Sequence, residues 1–251
     1  MHRMQKKAII AQVSDMHINA IEETYRNINV RKNFIDVLQF LKERQIDLLV
    51  LSGDLAATDG EIEAYQWIKE TLNCFPYPYV VMAGNHDRVT VMKQIFDIPA
   101  KDVQDNMLYF SRRVNGHRLL FLDTSTYLLP KKQLTWLYQQ LHHSDESILL
   151  FMHHPPLLCD CQFMDSFYPL GNIAETWELL QQLKVVKHIF CGHYHTDKIL
   201  KAEGKIIYLT PSTMLQIDTK SSRFVIEHIR PGWRMIEWNG EQVDTQVEYL
   251  P

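Results

Sequence analysis

Seven short runs of consecutive apolar residues punctuate the chain, and they limit its fold more than any other feature. Ala8–Val13, Asp47–Leu51, Tyr77–Met82, Arg118–Leu122, Ser147–Met152, His188–Cys191 and Lys205–Leu209 are mostly apolar on successive positions. Parallel strands covered by helices on both faces read this way. Amphipathic stretches lie between them. Phe34, Val37, Leu38 and Leu41 fall at helical spacing, as do Leu134, Leu137, Tyr138 and Leu141. Ile173, Trp177, Leu180 and Leu183 form a third stripe, and the aromatic residues on all three are expected in the core. From about Lys205 the helical pattern stops. Phe224–Ile229, Arg234–Trp238 and, past an Asn239-Gly240 turn, Gln242–Tyr249 read as antiparallel strands. The expected class is α/β. With no repeat, low-complexity stretch or linker, one domain over 1–251 is expected, a core of 1–204 completed by C-terminal strands in 205–251.

Composition removes several alternatives. A chain of 251 residues that is 46% hydrophobic and 22% charged can bury enough apolar surface to fold. Its 26 Lys and Arg against 30 Asp and Glu give a net charge of −4, which argues against a general nucleic-acid or anionic-membrane binder. The basic doublets Lys6-Lys7, Arg112-Arg113 and Lys131-Lys132 are too short to form a basic face. Four cysteines (Cys74, Cys159, Cys161 and Cys191) are too few and too irregularly spaced for a disulfide scaffold. The start is basic (His2, Arg3, Lys6, Lys7), but the apolar run after it is broken by Gln12 and ends at Ser14-Asp15, unlike a secretory leader. Nothing approaches about eighteen consecutive apolar residues, so no membrane span is expected. A cytoplasmic location is the simplest expectation.

The polar residues just after each strand are the informative ones. Ser14-Asp15-Met16-His17 comes after the first, Ser52-Gly53-Asp54 after the second and Gly84-Asn85-His86-Asp87 after the third. His153-His154-Pro155-Pro156 and Gly192-His193-Tyr194-His195 come after two later ones. Ligands bind at the carboxyl edge of open α/β sheets, so these side chains converge if the strands are neighbours. Asp, His and Asn suit borderline first-row ions such as Mn, Fe, Co and Zn, whereas a structural zinc site would favour thiolates. Asp-x-His on an extended segment sends both side chains to one face, as does His193-x-His195. Gly53, Gly84 and Gly192 are expected to let the backbone turn sharply before each polar group. Asp-x-His alone is common, but Gly-Asn-His-Asp should arise by chance in well under about 1% of such chains. Five motifs in order, each after a strand, are not a chance arrangement.

Taken together, these blocks resemble the calcineurin-like metallophosphoesterases, whose ordered signature is D-x-H, G-D, G-N-H-[DE], H and G-H-x-H. Within that superfamily the chain is most similar to the bacterial class III phosphodiesterases of 3′,5′-cyclic AMP. Leu209-Thr210-Pro211-Ser212-Thr213 with Gln216, and Arg230-Pro231-Gly232-Trp233-Arg234, support the closer match. The resemblance implies a layered α/β/β/α sandwich of mixed sheets flanked by helices. It also implies two divalent ions per chain (Fe, Mn or Zn). Asp15, His17 and His195 would hold one ion, Asn85, His153 and His193 the other, and Asp54 would bridge them. His86 would lie beside the substrate phosphate, Asp87 would orient it or serve as a carboxylate at a helix N-terminus, and His154 would stand behind the ligands or face the substrate. His17, Asn85, His86 and His195 are the expected substrate-binding residues, with Asp54 and His86 catalytic. Cys159, Cys161 and Met164 would border the pocket without being ligands.

The activity implied is hydrolysis of 3′,5′-cyclic AMP to 5′-AMP by attack of a metal-bridging hydroxide. Two ions against two carboxylates leave a locally positive site in an acidic chain, suited to an anionic diester. His86 would stabilise developing charge or protonate the leaving alkoxide. Glycerophosphodiesters and 2′,3′-cyclic nucleotides are the alternative substrates. A nuclease is disfavoured by the missing basic surface, and a protein phosphatase by the short chain with only Arg88 beside His86. A non-catalytic scaffold should have lost ligands, and none is replaced. The outer face of the C-terminal strands, with Trp233 and Trp238, would either serve a homodimer or pack on the chain's own core.

Overall fold

Residues 6–21, 24–76 and 78–251 are described in the computed structural model. His2, Arg3 and Tyr77, named above, lie outside them.

The first half runs β1 (Ala8–Val13), α1 (Val30–Lys42), β2 (Leu48–Ser52), α2 (Ile62–Asn73), β3 (Tyr79–Met82) and α3 (Val89–Ile95). Then come β4 (Val103–Gln104), β5 (Met107–Leu108), β6 (Phe110–Val114), β7 (His117–Leu122), α4 (Lys131–Leu141) and β8 (Ile148–Met152). The rest is α5 (Gln162–Phe167), α6 (Ile173–Gln182), β9 (Val186–Cys191), β10 (Lys198–Ala202), β11 (Lys205–Leu209), β12 (Gln216–Ile217), β13 (Ile226–His228), β14 (Gly232–Trp238) and β15 (Val243–Tyr249).

Two mixed sheets form the middle layers of an α/β/β/α sandwich. One has the order β15-β14-β1-β2-β3, the other β10-β11-β9-β8-β7-β6. β1, β2 and β3 are parallel, and so are β7, β8, β9 and β11; antiparallel strands complete each sheet. The wholly buried runs Leu48–Ser52 and Ile148–Met152 each have a strand on both sides, as continuous apolar strands should. The helical stripes face inward through Phe34, Val37, Leu38 and Leu41 on α1 and Leu134, Leu137 and Leu141 on α4. Asn29 caps α1 by accepting the Lys32 N–H at 2.9 Å.

A buried polar chain fixes how the two sheets face each other. The Gln12 amide of β1 donates to Ser52 Oγ at 2.9 Å, and Thr210 Oγ1 donates to Gln12 Oε1 at 2.7 Å. Arg234 of β14, wholly buried, donates to the Leu209 carbonyl and to Asp197, each at 2.8 Å. Each group is costly to bury unpaired, so a slip between the layers breaks several bonds together.

The structure corrects several expectations. Tyr138 is exposed and stacks on His142 rather than joining the core. Of the two roles open to Trp233 and Trp238, the structure takes packing on the chain's own core: both are buried, against Phe40 and His117. The Phe224–Ile229 run does not join β14 and β15; its strand, β13, pairs with β12 in a separate ribbon. The 205–251 segment divides between the layers, β11 in one sheet and β14 and β15 in the other. Among the described residues, no helix is long and apolar enough to cross a membrane.

Candidate metal centre and substrate cleft

The strands that carry the polar motifs are not all neighbours in one sheet. β1, β2 and β3 deliver Asp15, His17, Asp54, Asn85 and His86 from one layer; β8 and β9 deliver His153, His193 and His195 from the other. The carboxyl edges meet through direct bonds. Asp15 N donates to Gly53 O at 3.1 Å, His17 N to Asp54 O at 3.0 Å and Gly192 N to His153 O at 3.0 Å. The His193 N–H reaches across the layers to the Asp15 carboxylate at 3.0 Å. The Leu209–Thr213 stretch braces the same turn, with Ser212 Oγ donating to the Asp15 carbonyl at 2.7 Å and Thr213 N to Ser14 O at 3.2 Å.

Two clusters of ligand atoms result. One ligand atom each from Asp15, His17 and His195 lie within 4.8 Å of one another, as do those of Asp54, His153 and His193. His17, Asp54 and His86 also satisfy this limit. Asp54 Oδ2 stands between the groups, 3.8 Å from His17 Nε2 and 3.4 Å from His153 Nε2. His195 Nε2 is 3.3 Å from Asp15 Oδ1 and 3.1 Å from His17 Nε2.

Backbone carbonyls set the histidine tautomers. A carbonyl only accepts, so the ring nitrogen facing it carries the proton and the other offers a lone pair. His153 Nδ1 donates to Ser52 O at 2.8 Å, His195 Nδ1 to Leu215 O at 3.1 Å and His193 Nε2 to Tyr168 O at 2.9 Å. Their free nitrogens are therefore His153 Nε2, His195 Nε2 and His193 Nδ1. Among the described residues, buried His153 Nε2 and Asn85 Oδ1 have no well-formed hydrogen-bond partner, the Asp54 carboxylate lying 3.4 Å from the former. Buried polar atoms left unpaired beside two carboxylates are what a cation would satisfy. This nitrogen and oxygen donor set, without thiolates, fits a pair of divalent first-row ions.

Burial and charge act in opposition here. Burial pushes the Asp15 carboxyl up, but His195 and His153 outweigh it and hold its pKa at about 2. Asp54 is likewise held well below the usual carboxylate range by His153 and His17, against burial. Burial lowers His17 to about 4 and His193 to about 3, so both are neutral near pH 7 with lone pairs available. Burial opposes charge on His153 as well, yet Asp54 and Asp15 raise it to about 9. Without an ion, His153 would therefore be protonated on both nitrogens near pH 7, with Nε2–H toward Asp54, and a cation held there would have to displace that proton.

The glycines act differently from expectation. Of Gly53, Gly84 and Gly192, only Gly53 has a left-handed backbone, with φ +103°. The left-handed conformations instead fall on Asp15, His17, Asp54, His193 and His195 themselves, with φ between 45° and 65°. Asp and His tolerate this conformation better than most side chains, and such positions concentrate at functional sites. Gly84 and Gly192 serve close approach. A β-carbon at Gly84 would overlap Asp54 and stand 2.8 Å from His153 Nε2; at Gly192 it would overlap Ser14 Oγ and stand 2.7 Å from Asp15 Oδ2. Gly84→Ala is therefore expected to bind ions at least about tenfold more weakly, the scale on which displaced ligand supports act. Calorimetric titration with Mn²⁺ measures this, and wild-type affinity would contradict the packing argument.

Asp87 does not orient His86. Its carboxylate accepts from the backbone N–H groups of Gly84, Leu55 and Ala56 and from the Tyr65 hydroxyl, at 2.9–3.2 Å. It ties the loop after β2 to the loop after β3, and no side-chain bond caps α3. His86 is oriented by Ala57 O, 2.7 Å from its Nδ1, while its backbone N–H donates to Asp54 Oδ1 at 2.9 Å. His154 is wholly buried; its Nδ1 meets Thr124 Oγ1 at 2.9 Å and its ring lies 4.0 Å from that of His193. It stands behind the cluster and does not line the cleft.

The cluster opens into a cavity of about 680 Å³. His17, Asn85, His86 and His195, the expected substrate-binding residues, all line it. Its outer wall is apolar and aromatic, with Tyr25, Tyr127, Phe163, Tyr168, Met214 and Phe224. Met164 borders it too, whereas Cys159 and Cys161 lie buried outside its lining. No sequence pattern singles out these aromatic residues, because none lies on a helical stripe: Phe163 is on short α5 and Tyr25, Tyr127, Tyr168 and Phe224 are in loops. The residues after the Arg118–Leu122 strand, weighed like those after the other five, would have brought up Tyr127.

A family model described as calcineurin-like phosphoesterase matches residues 9–197. A probable cyclic nucleotide phosphodiesterase of Fibrobacter succinogenes is 39% identical over 247 residues, covering 98% of this chain and 96% of the relative. The 3′,5′-cyclic adenosine monophosphate phosphodiesterase CpdA of Escherichia coli is 32% identical over 254 residues, covering 96% and 89%. In fold, the chain resembles a dimetal phosphatase from Danio rerio, with a TM-score of 0.68, 14% identity and coverage of 95% and 98%. The matched span begins in the strand that carries Asp15 and ends two residues past His195, so it takes in the whole polar cluster. The chain thus belongs to the calcineurin-like phosphoesterase family, which is built on a dinuclear metal centre.

Proposed function

We propose that this metal-dependent phosphodiesterase hydrolyses 3′,5′-cyclic AMP to 5′-AMP, as a single cytoplasmic domain spanning residues 1–251. The observation that carries the reading is a polar cluster at the base of a cavity of about 680 Å³ whose outer wall is aromatic. That volume lies within the usual range for small-ligand sites, and the division matches a charged diester joined to a flat base. The similarity to two cyclic-nucleotide enzymes over nearly the whole chain supports the same substrate class.

In this reading Asp15, His17 and His195 hold one ion, Asn85, His153 and His193 hold the second, and Asp54 is shared. Bound ions supply activation of water and compensation for charge developing on the phosphoryl oxygens. The protein's part is to keep these donors rigid. The Ser52, Leu215 and Tyr168 carbonyls fix three rings, and neutral His17 and His193 present lone pairs without first losing a proton. His86, its Nδ1–H held by Ala57 O, acts as the doubly protonated imidazolium: Nε2–H faces the phosphate and hands its proton to the 3′ oxygen as the ring opens. Water supplies the new P–O bond, and the 3′ oxygen leaves as a hydroxyl.

The test is product analysis of Mn²⁺-loaded protein with 3′,5′-cyclic AMP. 5′-AMP should form with the wild type and not with Asp54→Asn. Absence of 5′-AMP from wild-type protein would end the substrate assignment.

A further inference from the structure

We propose that Tyr127 is a substrate-binding residue whose phenol donates a hydrogen bond to a phosphoryl oxygen of the diester. The proposal rests on the phosphodiesterase reading of the cleft. Tyr127 lies on the loop after β7, the strand beside β8, and that loop supplies none of the cluster's ligands.

Its backbone is left-handed, with φ 61°. Glycine, asparagine and aspartate adopt this conformation cheaply, whereas a bulky side chain is strained there. Among the described residues most other left-handed non-glycine positions are Asp, Asn or His, and Tyr127 is the only Phe, Tyr or Trp. Two bonds hold it: its N–H donates to Thr124 O at 2.8 Å and its carbonyl accepts from Gly171 N at 2.7 Å. Any residue could make those backbone bonds, so they do not explain the tyrosine.

The side chain explains it. The ring packs at 4.6 Å from His154 and edge-on at 5.8 Å from His193, on the cleft wall that it shares with His17, Asp54, Asn85 and His86. Thr124 Oγ1, three residues earlier, bonds His154, so the loop that aims the phenol also fixes the ring behind His193. The hydroxyl of this half-buried side chain bonds no other described residue, which leaves it available to a molecule in the cleft. A phenol at neutral pH is protonated and able to donate. An unpaired donor, strained into position beside a cluster suited to a phosphate, has an anionic oxygen as its natural acceptor.

The test compares wild type and Tyr127→Phe as ion-loaded full-length protein on two diesters, 3′,5′-cyclic AMP and bis(4-nitrophenyl) phosphate. Loss of a hydrogen bond to a charged oxygen should lower kcat/KM about tenfold to a hundredfold on both. Ion content and Tm should not change, and inorganic phosphate should bind more weakly in calorimetry. Tyr127→Gly should lose at least as much activity while its Tm stays level or rises, because the strain is relieved. Wild-type rates of Tyr127→Phe on the aryl diester would overturn the proposal. A loss confined to cyclic AMP, which would place the phenol on the nucleoside, would also overturn it, and so would a fall in Tm that accounts for the loss. If the wild type cleaves the aryl diester but not cyclic AMP, the substrate assignment fails while the Tyr127 comparison still stands.

Discussion

Asp54→Asn is expected to lower bound divalent metal from two equivalents to at most one and to reduce kcat by at least about a thousandfold. Asp54 Oδ2 is the oxygen that reaches both clusters, 3.8 Å from His17 Nε2 and 3.4 Å from His153 Nε2. Losing its charge weakens both ion positions together, and the activation and charge compensation assigned to the ions amount to several kcal/mol. Asparagine keeps nearly the same shape and retains an oxygen to accept the His86 N–H, so folding should survive and the defect should be one of binding. Elemental analysis beside steady-state kinetics measures it. Two tightly held ions with near-normal turnover would remove Asp54 from the shared position.

His86→Ala should behave in the opposite way, keeping metal while losing turnover. The His86 ring is partly exposed on the cleft, with Nδ1 tied to Ala57 O, so its free nitrogen is the one presented to substrate. A positioned acid of this kind contributes about a hundredfold to ten-thousandfold, and kcat should fall within that range. Because a His86 nitrogen also lies within 4.8 Å of His17 and Asp54 ligand atoms, metal content must be measured on the same sample. Loss of an ion alongside activity would make His86 a ligand and not the proton donor.

These two variants also show what was readable from sequence. Asp54 and His86 stand out because each comes after an apolar run with a glycine close by, and neither burial nor helix packing accounts for them there. The Ala8–Val13 and Lys205–Leu209 strands have the bounds expected of them, and the others shift by a residue or two. Continuous apolar runs give a strong local signal. The edge strands Phe110–Val114 and Lys198–Ala202 were not recognised. They carry charged residues on open faces, and their pairing is set by the neighbouring strand.

Glycine and Asp87 expose a different limit. Sequence marks Gly84 and Gly192 as special but does not say whether a turn or a close neighbour requires them; both stand against residues distant in the chain, Asp54 and His153 for Gly84, Ser14 and Asp15 for Gly192. Asp87 is adjacent to His86 in sequence, yet it binds the loop after β2.

The sequence by itself determined the α/β class, most of the parallel strands and which polar residues stand at their carboxyl ends, because each is a local matter of periodicity and residue type. Tertiary structure alone decided that those ends belong to two sheets, that they meet face to face, and that carbonyls of Ser52, Tyr168 and Leu215 aim the rings. It also decided that an aromatic wall with a strained Tyr127 faces them. These features arise from packing between segments up to about two hundred residues apart, where burial and unpaired polar groups, not local preference, set the lowest free energy.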